Sequence, residues 1–82
     1  MPELKQLLLD LSRAIVDCPD EVSAEESWEG DLLVYTLHVA KDDMGKIIGK
    51  HGKNAKCIRS VMKAAGMKYD RKIAVDIAED DD

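Results

Sequence analysis

The 82-residue chain carries a net charge of -5, with 35% charged and 45% hydrophobic residues. A chain this short builds one small core, burying roughly 60–65% of its unfolded surface, and leaves no spare length for an elaborate buried active site. The composition argues against disorder, and no apolar run of about 18 residues or basic-then-apolar leader points to a membrane span or a signal peptide.

Pro2 and Glu3 suit a first helical turn, where a missing N–H costs little and an acid meets the helix dipole. Leu4, Leu7, Leu8, Leu11, Ala14 and Ile15 recur at helical spacing until Cys18-Pro19 ends the pattern. From Val22 the period becomes two: Val22, Ala24 and Trp28 share a face on which Glu26 is the odd member. Glu29-Gly30-Asp31 reads as a hairpin turn, and Leu33, Tyr35, Leu37 and Val39 then alternate with Leu32, Val34, Thr36 and His38 as a second strand. Asp42 or Asp43 is placed to cap a short helix through Met44, Ile47 and Ile48, which stops at Gly49. A longer helix is expected from Lys53 to Ala65, with Ala55, Ile58, Met62 and Ala65 inward and Gly66 as its stop. Ile73, Val75 and Ile77 mark a third strand. Residues 79–82, all acidic, read as a solvated tail on a single domain of residues 1–78.

The expected fold class is α+β, in two layers: order α-β-β-α-α-β, a three-stranded sheet covered on one face by three helices. No internal repeat and no linker interrupts it. Cys18 and Cys57 stand 39 positions apart in no metal-ligand spacing; they read as reduced thiols of a cytosolic protein, with a disulfide as the alternative.

The net charge hides an asymmetry. Residues 41–72 hold ten Lys/Arg against three Asp, a net +7, and the remainder holds two against fourteen acids, a net -12. A basic element on an acidic scaffold points to an anionic partner.

The basic element centres on Gly49-Lys50-His51-Gly52, a corner between two helices. A Walker loop needs GxxxxGK followed by Ser or Thr, but Ile47 stands five positions before Gly52 and Asn54 follows Lys53; the dinucleotide pattern GxGxxG is also absent. What such a corner can do is bring bare backbone against an anion. Glycine admits positive φ, and the N–H groups around Lys53 and Asn54 open the next helix with its positive dipole end behind them. Lys50 adds a full charge, His51 one that grows below neutral pH, and Lys46, Lys53 and Lys56 extend the field. Arg59 and Lys63 continue the helix face at steps of three and four. A bare helix–helix corner with a solvated lysine face is the alternative for each part taken singly.

The stretch Ile47-Ile48-Gly49-Lys50-His51-Gly52-Lys53-Asn54-Ala55-Lys56-Cys57-Ile58 resembles the signature of the KH domain, and the element order is similar to its type II, bacterial form. The resemblance covers nearly the whole chain, and extends to small bacterial RNA-binding proteins made of one such domain. It implies that Gly49 and Gly52 form a clamp on about four nucleotides of single-stranded RNA, with Lys50 and His51 at its tip. Ile47, Ile48, Ala55 and Ile58 would line or support a shallow groove for bases. The resemblance further implies a cytoplasmic RNA chaperone or post-transcriptional regulator, acting with a second KH protein or with itself as a dimer, and influencing cell elongation and wall homeostasis. It implies neither a cofactor nor catalysis.

With no Phe, one Trp and two Tyr, the chain lacks the aromatic platforms on which other RNA-binding folds stack bases. Weak binding by a single domain follows, and dimerisation would remedy it. Trp28 reads as a core or dimer contact rather than a base platform. The rival reading is a protein-interaction module whose loop and sheet surface serve docking, with RNA contacts incidental. No nucleophile, metal or acid–base constellation points to an enzyme.

Overall fold

The computed structural model describes residues 1–78, and the acidic tail expected at 79–82 lies outside them. Three helices, α1 (Pro2–Arg13), α2 (Met44–Ile48) and α3 (Lys53–Lys68), accompany three strands, β1 (Ser23–Glu29), β2 (Leu32–His38) and β3 (Lys72–Ile77). The sheet order is β1-β2-β3, with β1 antiparallel and β3 parallel to the central β2. This is the two-layer α+β arrangement anticipated from the alternating periods.

Alternation along β2 decides which sheet face is covered. Leu33, Tyr35 and Leu37 are fully buried, Ile73 and Val75 of β3 sit beside Leu33 and Tyr35, and Ala24 of β1 faces Leu37. Leu4 and Leu8 of α1, Ile47 of α2, and Ile58 and Met62 of α3 close this core from the helical side. α1 lies beside α3 and leans on β1, while α3 leans on β3. Two residues turn the β1–β2 hairpin, and Gly30 takes φ +59° at the first of them, where a type II′ hairpin calls for glycine.

Glu26 is not an odd member of its face. It stands opposite Tyr35, accepts a 2.8 Å hydrogen bond from the Tyr35 hydroxyl, and is met at 2.6 Å by the Met1 ammonium. The same hydroxyl lies 3.1 Å from the Met1 carbonyl oxygen, so one knot ties the start of α1 to the β1–β2 pair. Burial, then the neighbouring Glu26 carboxylate, pushes the Tyr35 hydroxyl pKa well above the ordinary tyrosine value.

Four expectations need correcting. α1 ends at Arg13, before Cys18-Pro19: Ser12 is buried, its hydroxyl donates to the Leu8 carbonyl, and the Ile15 and Val16 N–H groups both turn back to Ser12. No Asp42 or Asp43 side chain caps α2. Asp43, only 2% exposed, instead accepts from the Asp17 and Cys18 N–H groups at 3.1 and 3.0 Å and anchors the turn after α1. Gly66 is no helix stop; α3 runs through it to Lys68. The stop is Asp70, at φ +56°, flanked by the Asp70 N–H to Met67 and Arg71 N–H to Gly66 bonds of a Schellman turn. Gly66 is there for proximity, since a Cβ on it would stand 2.4 Å from Ile73 Cγ1 and 2.8 Å from the Arg71 carbonyl oxygen.

Trp28 is the fourth. Its side chain is on the helix-facing side, opposite Leu33, yet 49% exposed. The first turn of α1 comes down on the Glu26–Tyr35 row, and in the next row the end of α3 covers Ile73 but leaves Trp28 open. It is therefore not a core residue.

Candidate nucleic-acid interface

The corner between α2 and α3 is built from backbone conformations that side chains resist. Gly49 has φ +75° and ψ 175°, a region essentially reserved for glycine. His51 (φ 59°, ψ 26°) and Gly52 (φ 74°, ψ 15°) follow in left-handed conformations, so the chain reverses within one 3-10 turn, Lys50–Gly52. The Gly52 N–H closes that turn onto the Gly49 carbonyl at 3.2 Å. Gly49 is also hemmed in: a Cβ there would lie 2.7 Å from Asn54 Cγ and 2.9 Å from the Asn54 backbone nitrogen. Gly52 has open space around it, so only its φ calls for glycine.

The corner delivers the chain directly into the 16-residue α3, which carries no side-chain cap on its first turn. The Lys53 N–H returns to the Lys50 carbonyl, and beyond it the first-turn N–H groups, with the positive dipole end, stand behind Lys50, His51 and Lys53, all three exposed. Lys56 is exposed one turn further on, and Arg59 and Lys63 extend the same flank over about 15 Å from Lys53. Arg59 reaches across to the sheet, donating from Nε to the Val75 carbonyl at 3.1 Å. The basic flank of α3 thus borders the edge strand β3, with the glycine corner at its head. Arg59 and Lys63 were legible in the sequence through their spacing but were not among the expected site residues.

The other expected residues divide. Lys46 is exposed but paired with Asp17, whose hydrogen bond raises the lysine pKa, as does the more distant Asp43 charge. Asn54 turns its amide away from the loop mouth and donates 2.7 Å to the Lys46 carbonyl, stapling the end of α2 to the start of α3. Ile47 is fully buried in the core, so it can support a groove from beneath but offers no atom to a ligand; Ile48 is partly exposed. Ala55 and Ile58, at 5% and 3% exposed, form the floor on which the corner rests.

The opposite flank of α3 is different in kind. Leu11 and Ile15 of the α1 side, with Cys57, Ile58 and Val61 of α3, line an apolar groove, and Val61 is 41% exposed. Among the described residues no helix is long and apolar enough to cross a membrane.

A family model described as the KH domain of KhpA and KhpB matches residues 5–77. Among similar proteins, the RNA-binding protein KhpA of Clostridium acetobutylicum is 46% identical over 74 residues, covering 90% of this chain and 99% of that protein. KhpA of Listeria monocytogenes is 40% identical over 76 residues, covering 93% and 100%, and KhpA of Chlamydia caviae 36% over 77, covering 94% and 99%. The fold is also similar to part of Aquifex aeolicus Era bound to GDP and aluminium fluoride, with TM-score 0.65 and 14% identity over 90% of this chain and 29% of that one. A structure of Era with nucleotides 1506–1542 of 16S ribosomal RNA aligns with TM-score 0.64 at 14% identity, over 90% of this chain and 28% of that one.

Proposed function

This chain belongs to the KhpA/KhpB KH-domain family, and on that premise we propose that it binds single-stranded RNA, gripping the sugar-phosphate backbone in the 49–52 corner. It is a binding protein, not an enzyme. The observation that carries the proposal is the corner itself: Gly49, His51 and Gly52 at positive φ, opening into an uncapped helix flanked by exposed lysines. Backbone N–H groups and the helix dipole meet phosphate oxygens there, and Lys50, His51, Lys53 and Lys56 surround them with charge. About four nucleotides lie along the border between α3 and β3, their bases against aliphatic groups and the Arg59 bridge.

The relatives' name speaks of RNA binding alone; an RNA-chaperone or post-transcriptional role in the cytoplasm, with effects on cell elongation and wall homeostasis, is a further part of this proposal. A partner adds avidity to one weak domain. The apolar groove between α1 and α3 favours such a contact, with a second copy or a KhpB-like second KH protein, because it leaves the basic flank free.

The test is fluorescence anisotropy of a short labelled single-stranded RNA titrated with the protein and with a Lys50→Asp/His51→Asp variant whose folding is checked by circular dichroism. The proposal expects binding by the first and loss in the second. It also expects affinity to fall with salt at a log–log slope of about -0.7 per phosphate neutralised. Equal binding by both proteins, independent of salt, would leave the corner as a structural turn.

A further inference from the structure

The exposed Trp28 has a cation for a neighbour: the guanidinium carbon of Arg71 lies 5.6 Å from its ring centroid. Arg71 is also a wall of a shallow concavity of about 250 Å³, shared with Lys63, Met67, Lys72 and Ile73. Lys63 belongs at once to this concavity and to the basic flank of α3. Asp70 joins Met67, Arg71 and Lys72 around an adjoining hollow and is the one acid lining either of them; Glu29 and Asp31 stand at the hairpin beside Trp28. Met67, 78% exposed, adds a flexible apolar surface between the cations. The basic track therefore does not stop at the clamp. It continues from Lys56 and Arg59 through Lys63 to Arg71 and Lys72, and ends at a half-exposed indole with the Arg71 guanidinium over one face and the other face left for a base.

We propose that Trp28 and Arg71 form a second RNA subsite, where a nucleobase downstream of the clamped segment stacks on the indole while Lys63, Arg71 and Lys72 hold the phosphates leading to it. This rests on the RNA-binding reading above and extends its footprint. The α3 helix spans 16 residues, about 24 Å, so a strand held at the 49–52 corner reaches its far end only when several nucleotides longer than the clamped four. An indole face accepts any base, so the subsite adds affinity and length preference with little sequence preference. The exposed cations favour a polyanion over an apolar protein segment as the occupant.

Trp28 is the only tryptophan of the chain, so its fluorescence reports on the subsite directly. The experiment titrates the protein with oligoribonucleotides of about 4 and about 10 nucleotides, following indole emission and, with labelled oligomers, anisotropy. The proposal expects the longer oligomer to change indole emission and bind more tightly. Trp28→Ala then weakens the longer oligomer by about 5- to 150-fold, the worth of one stacked base, and leaves the shorter unchanged. Trp28→Phe restores part of the loss, which a merely structural effect of the alanine variant would not predict for the longer oligomer alone. If both oligomers bind the wild type alike and Trp28→Ala is neutral, the subsite is refuted while the clamp stands. If neither binds, the RNA reading fails and takes the subsite with it. If Trp28→Ala alters the oligomeric state and leaves both affinities unchanged, the patch is a protein contact and the proposal is overturned.

Discussion

Gly66→Ala sets helix propensity directly against packing. In the middle of a helix, alanine is favoured over glycine by about 1 kcal/mol, so propensity alone predicts a more stable protein. The new Cβ, however, would stand 2.4 Å from Ile73 Cγ1 and 2.8 Å from the Arg71 carbonyl oxygen. Neither neighbour is a flexible end. Ile73 is 4% exposed and registered against Leu33, and the Arg71 N–H is locked onto the Gly66 carbonyl at 2.9 Å. Overpacking of this kind costs about 1–3 kcal/mol, and displacing the Schellman turn adds to it, so the net loss is about 1–3 kcal/mol after the propensity gain. For a domain of this size that lowers Tm by about 5–20 °C. Thermal and urea denaturation of Gly66→Ala would be compared with Gly45→Ala, where nothing lies within 4 Å of the new Cβ and a gain of up to about 1 kcal/mol is expected. Ile73→Ala should cost less in the Gly66→Ala background than alone, because it removes the clashing carbon. A Gly66→Ala protein as stable as wild type would mean that α3 and β3 do not approach this closely.

Three further perturbations separate structural from surface roles. Gly49→Ala, which combines backbone strain of about 1–3 kcal/mol with contacts under 3 Å to Asn54, should destabilise clearly more than Gly52→Ala, which costs about 1–2 kcal/mol from its φ alone; equal losses in urea melts would contradict the loop geometry. Asp43→Ala strands the Asp17 and Cys18 N–H groups and should cost about 2–4 kcal/mol, with Asp43→Asn recovering part of it; a neutral alanine variant would mean that water replaces the carboxylate. For Glu26, hydrogen bonds from the Met1 ammonium and then the Tyr35 hydroxyl hold its carboxyl below the usual range. Its folded value thus lies below its unfolded one, so its contribution is present at neutral pH and fades as pH falls through the folded value. Glu26→Gln should cost about 1 kcal/mol at pH 7 and nothing measurable in strong acid; the same loss at both would rule out the charge as the cause.

Periodicity makes most of the fold legible in the sequence. A change of period from 3.6 to 2 marks real differences in which side chains meet the core, and Leu4 and Leu8 or Leu33, Tyr35 and Leu37 fall where it puts them. The glycine corner was legible for a similar reason, since close glycines beside lysines constrain the backbone locally. The misread residues are those whose role depends on atoms distant in sequence. Gly66 looks like a helix stop unless Ile73 is known to press on it. Asp43 looks like a cap until the N–H groups 25 and 26 positions earlier claim its carboxylate. Trp28 alternates inward correctly, but nothing in its own strand says that α1 descends one row away. Asn54 carried no signal for its bond to Lys46, because an amide at the start of a helix suits a ligand contact equally well.

The most direct test of the RNA clamp is an amide-resolved NMR titration of the protein with a short single-stranded RNA. A strand gripped at the corner moves most the N–H groups of Lys50, His51, Gly52 and the first turn of α3, with smaller shifts along Lys56 and Arg59. Shifts confined to the apolar groove of Leu11, Ile15 and Val61, with the corner unmoved, would contradict the clamp.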